Sequence, residues 1–111
     1  MKKKIVVLYL KPEDKESLSE IFEQAVQQGV EIFFCENKES ALKLIESEKP
    51  HLLILDDQID LAVQTIPTLL LHDKKDKSEG LIRPLHKNQV LEKCLAYLDL
   101  SHIENPQEIP M

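Results

Sequence analysis

The stretch 37-NKESALKLIESEKPHLLILD-56 decides the fold. Asn37 suits an N-cap, because its side-chain oxygen can accept from an unpaired N–H of the first helical turn. Ala41, Leu42, Leu44 and Ile45 then recur at helical spacing, which predicts a helix over 38–48 with those four side chains inward. Pro50 closes it, since the residue before a proline is pushed out of helical φ/ψ. A strand follows over 51–56. Its Leu52 to Leu55 run is apolar without alternation, so both faces of the strand expect cover, as in a central parallel strand. The run ends at two carboxylates, Asp56 and Asp57. A helix leading straight into a doubly buried strand is a unit of an α/β sheet.

The same rhythm extends both ways. Residues 3–10 read as a first strand, apolar on both faces. Pro12, Glu13 and Asp14 suit a first helical turn, where a missing N–H costs little and acids complement the helix dipole. Leu18, Ile21, Phe22, Ala25 and Val26 form one helical stripe, and Gly29 is the C-cap candidate. Residues 30–35 are a second strand and 66–72 a fourth. A short fifth strand over 81–83 ends at Pro84, and a last helix runs over 87–99 with Val90, Leu91, Cys94, Leu95 and Leu98 inward. Residues 1–99 therefore read as one α/β domain. Residues 100–111, with two prolines and the apolar Ile103 and Ile109, read as a tail or linker.

Composition excludes several functions. A net charge of −6 argues against nucleic-acid binding through phosphate contacts. No run of about 18 apolar residues exists, so a membrane span is not expected. The basic start precedes only a six-residue apolar run, residues 5–10, with no small-residue cleavage site, so it reads as a strand and the protein as cytoplasmic. Cys35 and Cys94 lie far apart, outside any zinc or redox motif, and are expected to be reduced and buried. With only Gly29 and Gly80, the chain has no glycine-rich phosphate loop.

These residues resemble a response-regulator receiver domain. Segment 37–56 is similar to that family's second helix and third strand, Pro67 with 68-TLLLH-72 to its fourth strand, and 81-LIRPL-85 to the turn after its fifth. The resemblance implies a flavodoxin-like fold: a five-stranded parallel sheet in the order 2-1-3-4-5. It places Asp56 at the phosphoacceptor position, and His72, Arg83 and Pro84 at the switch positions, with a cis peptide before Pro84. It also exposes departures. Aligning 5-IVVLYLKP-12 on the first strand puts Tyr9 and Leu10 where the family carries an acidic pair that holds Mg²⁺, a hard ion requiring oxygen ligands. Glu13 and Asp14 lie beyond Pro12 in the helix start. Arg83 replaces a lysine, and its planar fork is not equivalent to an ammonium, although it can pair with Asp56.

The middle of the chain is short. Nine residues, 57–65, join the third strand to the fourth, and seven, 73–79, join the fourth to the fifth. A parallel crossover with a full helix needs about ten to a dozen or more. The receiver's third and fourth helices are therefore expected to be missing or reduced; an antiparallel pair at one link is the alternative. Loss of two helices would leave Leu53, Leu55, Leu69, Leu70 and Leu71 under-covered, and exposed apolar patches mark interfaces. A second copy or another protein partner would cover them, unless the links and the tail fold over that face.

The expected function is a non-catalytic pseudo-receiver: a homodimeric, phosphorylation-independent signalling module without metal or cofactor, either the regulatory part of a longer transcriptional regulator or a stand-alone adaptor. A working phosphoacceptor, phosphorylated on Asp56 by a histidine kinase, is the alternative. A small hydrolase around His72 and Asp73 is a third option, without a nucleophile.

Overall fold

The computed structural model describes residues 3–61, 65–73 and 80–98, without the side chains of Leu95, Tyr97 and Leu98. The tail with Ile103 and Ile109, and the expected inward faces of Leu95 and Leu98, lie outside that description.

The elements follow in the order β1 (Lys4–Leu8), α1 (Pro12–Ile21), α2 (Glu23–Gln27), β2 (Glu31–Cys35), α3 (Lys38–Glu48), β3 (Leu52–Asp56), β4 (Thr68–His72), β5 (Leu81–Ile82) and α4 (Lys87–Leu98). The five strands form one sheet in the order β2-β1-β3-β4-β5. Every pair is parallel, which excludes the antiparallel alternative. This is the flavodoxin-like arrangement. Among the described residues no helix joins β3 to β4 or β4 to β5.

Local chemistry sets the boundaries. The Asn37 side chain accepts from the Ser40 N–H at 2.8 Å, satisfying an N-terminal donor of α3. That helix ends at Lys49 in the left-handed region (φ 50°), one residue before Pro50. The first helical stripe is split: α1 stops at Ile21, and Phe22 caps it before α2 begins. The break keeps Phe22 and Ala25 in the core but turns Val26 outward, 49% exposed, against the continuous stripe expected from spacing. Leu42 is likewise exposed, not inward, because α3 meets the sheet through Ala41, Leu44 and Ile45.

The core has two layers. On one face, Ile5, Val7, Leu52, Ile54, Leu69 and Leu71 pack with α1, α2 and, through Val90 and Cys94, α4. On the other, Val6, Leu8, Leu53 and Leu55 pack with α3.

This layering corrects the expected interface. Leu53, Leu55, Leu69 and Leu71 are buried, and only Leu70 of the five is exposed. Side-chain alternation along β4 places Leu69 and Leu71 in the layer with α1 and α4. Leu53 and Leu55 are covered by a different route. Ile59, Leu61 and Ile66 of the β3–β4 link pack onto that layer beside α3. Three apolar residues of a short link thus do part of a covering helix's work.

Candidate functional site

Parallel strands present their C-terminal ends on one edge, where open α/β sheets collect functional side chains. Asp56 ends β3 there and is only 2% exposed. Its Oδ1 accepts from the Gln58 N–H at 2.9 Å, a contact made possible by the turn that begins the link. Its Oδ2 accepts from Arg83 Nη2 at 2.7 Å.

Arg83 follows β5, and its backbone N–H donates to the His72 carbonyl at 2.8 Å, which continues the pairing with β4. The bond from Arg83 to Pro84 is cis. The guanidinium also reaches α1. Nε lies 3.1 Å from both oxygens of Asp14, and Nη2 lies 2.7 Å from Asp14 Oδ2. One planar fork therefore bridges two buried carboxylates, the use of arginine for which lysine is a poor substitute. Hydrogen bonding to Asp14, and then to Asp56, raises the Arg83 pKa, so its charge is permanent. Asp73 adds a longer contact to Nη1 at 3.5 Å. Lys11 lies 3.8 Å from Asp73, and with both side chains largely exposed this pair contributes little.

Asp14 lies in the first turn of α1, as the sequence predicts, but its pairing with Arg83 is not expected from the sequence. An acid in the first turn of α1 is expected to complement the helix dipole, yet Asp14 is buried and points at Arg83. A signal existed: Asp14 lies four residues before Leu18, on the same stripe as Leu18, Ile21 and Ala25, and that stripe is the buried one.

The remaining candidates scatter. Tyr9 is buried, but its hydroxyl donates to the Glu36 carboxylate at 3.1 Å and its ring meets Phe34 edge-on. Burial, then the Glu36 hydrogen bond, raises the Tyr9 pKa. Leu10 is 49% exposed. His72 is buried at the end of β4. The structure brings Asp56 and Arg83 together and leaves Tyr9 on the β2 side.

Mg²⁺, which receiver domains use, does not fit these residues. Tyr9 and Leu10 supply no carboxylate, and the carboxylates that are present, Asp14 and Asp56, are bridged by a fixed cation. Among the described residues no three His, Cys, Asp or Glu side chains are grouped to hold a metal ion.

No family model matches the sequence, and neither does any curated protein. The fold does match known structures, response regulators among them. The chemotaxis response regulator CheY4 of Vibrio cholerae superposes with a TM-score of 0.70 at 15% identity, over 87% of this chain and 99% of that one. A receiver-modulated diguanylate cyclase from Pelobacter carbinolicus gives 0.68 at 19%, over 88% and 93%. A two-component response regulator from Clostridium difficile gives 0.63 at 20%, over 89% and 97%. At such low identities the likeness establishes the receiver fold and nothing finer. Among the described residues no helix is long and apolar enough to cross a membrane.

Proposed function

We infer that this chain is a pseudo-receiver, a non-catalytic signalling module that acts through protein–protein contact and does not depend on phosphorylation of Asp56. It serves in the cytoplasm, either as the regulatory part of a longer transcriptional regulator or as a stand-alone adaptor. The observation that carries this reading is the state of Asp56. Both of its oxygens hold a hydrogen bond, the group is nearly inaccessible, and a guanidinium sits beside it. Attack on phosphorus needs an exposed carboxylate oxygen and a divalent cation to neutralise charge between acceptor and phosphate. Arg83 supplies positive charge without open coordination positions, so it holds the site closed and does not recruit phosphate.

The working phosphoacceptor is the second reading, favoured by one observation: Asp56 ends β3 beside a cationic side chain. Beryllofluoride, a phosphoryl mimic, separates the two. The pseudo-receiver reading expects no chemical-shift change at Asp56 and its neighbours when beryllofluoride and Mg²⁺ are added. Saturable, Mg²⁺-dependent binding there would establish the phosphoacceptor instead.

A further inference from the structure

The two edges of the sheet are built differently. The β5 edge is two residues long and runs into Arg83 and Pro84. Short strands and prolines are the usual means of preventing unwanted strand pairing. The β2 edge is five residues, 31-EIFFC-35, with no lysine, proline or bulge. Among the described residues no strand lies on its outer side.

Register identifies the free groups. The Glu31 N–H donates to the Lys3 carbonyl at 2.8 Å, and the Cys35 carbonyl accepts from the Tyr9 N–H at 3.1 Å. A parallel ladder uses alternate residues of a strand, so Glu31, Phe33 and Cys35 bond to β1. Ile32 and Phe34 therefore direct their N–H and C=O outward. Ile32, Phe33 and Phe34 are each only half-buried. A groove of about 360 Å³ runs beside the first two, with the exposed Val26 on its wall.

The geometry points to a second copy of this chain as the occupant, its β2 pairing antiparallel with this one about a twofold axis at Phe33. In that register Ile32 faces Phe34 of the partner subunit, and the outward groups of both residues are satisfied by four hydrogen bonds. Centring the axis on Ile32 or Phe34 brings only one outward residue of β2 opposite its own image. Phe33 meets its symmetry mate at the non-hydrogen-bonded position, where side chains come closest and aromatic pairs are favourable. Charge agrees: Glu31 falls opposite Cys35 and Glu36 opposite Val30, so no like charges meet. The two five-stranded sheets become one continuous sheet. Each copy carries a net charge of −6, so long-range repulsion opposes the contact and added salt strengthens it. The pairing stands whether or not Asp56 accepts phosphate, since it uses the far edge of the sheet.

Sedimentation of the full chain with opposite charges introduced on the axis tests this. The wild type is expected to dimerise at high micromolar concentration, more tightly as salt rises. Phe33→Lys and Phe33→Glu alone are each expected to weaken the dimer by at least about tenfold, and an equal mixture to recover it. A monomeric wild type, or single variants that dimerise as tightly as wild type, overturns the proposal. A mixture that stays monomeric overturns the register centred on Phe33. A variant-free measurement covers poor folding of either variant: amide exchange at Ile32 and Phe34 slows as wild-type concentration rises. Exchange independent of concentration counts against the pairing.

Discussion

Nη2 of Arg83 lies 2.7 Å from Oδ2 of Asp14 and 2.7 Å from Oδ2 of Asp56. One guanidinium thus ties the start of α1 to the ends of β3 and β5, with all three side chains mostly withdrawn from water. Breaking such a network from the cationic side leaves two buried carboxylates uncompensated. Arg83→Ala is expected to lose about 3–5 kcal/mol of stability in urea unfolding. The Asp14→Asn, Arg83→Ala double variant should be much less unstable than the sum of the single changes, because one interaction is shared. Additive losses would mean that the pair is not coupled.

Metal dependence follows from the same contact. Mg²⁺ or a chelator should leave the thermal midpoint of the wild type unchanged. In Arg83→Ala, Mg²⁺ should raise the midpoint, since Asp14 and Asp56 then lack their cation. A wild type stabilised by Mg²⁺ would show that the carboxylates are available after all.

His51 makes the stability pH-dependent at the opposite end of the sheet. Its Nδ1 accepts from the Lys4 N–H at 3.2 Å, which requires the neutral ring at that nitrogen. Burial lowers the His51 pKa from 6.5, and Lys3 and Lys4 lower it further, although the Lys4 ammonium is paired with Glu48 at 2.9 Å. A group with a depressed folded pKa binds its proton first in the unfolded chain. The contribution is therefore whole above about pH 6.5 and falls as pH drops from there through the folded value. Urea midpoints from about pH 8 to about pH 5 should decline, and His51→Asn should flatten that part of the curve. An unchanged slope in the variant would assign the decline to other groups.

The cysteines are expected to be inert in the folded chain. Burial pushes the Cys35 thiol up to about 11 and the Cys94 thiol up to about 12. Cys35 also donates to the Val7 carbonyl at 3.4 Å. Because the thiolate is the reactive form, disulfide-exchange labelling should be about a hundredfold or more slower than after unfolding. Rapid labelling of either thiol without unfolding would contradict its burial.

Gly80 tests the close approach before β5. It sits at φ +81°, and a Cβ there would fall 2.5 Å from the Leu70 carbonyl oxygen. Gly80→Ala should cost more than about 1 kcal/mol, with the urea slope preserved. The opposite sign, a stabilised variant, would mean that this backbone can relax.

Most of the fold was legible from the chain because its cues are local. Asn37, Pro50 and the unalternating Leu52–Leu55 run predicted α3 and β3 to within a residue of where they lie. Link lengths predicted helices that are missing or reduced, and among the described residues no helix joins β3 to β4 or β4 to β5. The under-covered sheet was not borne out, because a count of link residues says nothing about where Ile59, Leu61 and Ile66 go. The Asp56–Arg83 pairing was foreseen as an option. Asp14 was not, since its partner lies 69 residues away in sequence.

By itself, then, the sequence determined the order of elements, the α/β class of the domain and the position of Asp56 at a strand end. Those properties follow from backbone preferences and from side-chain period, which act over a few residues. Tertiary structure alone decided that Asp14 and Asp56 share one guanidinium, that a link covers Leu53 and Leu55, and that β2 lies at the edge of the sheet formed by the described strands. Each of these depends on which distant segments packing brings within hydrogen-bond or van der Waals reach, and no local pattern encodes that distance.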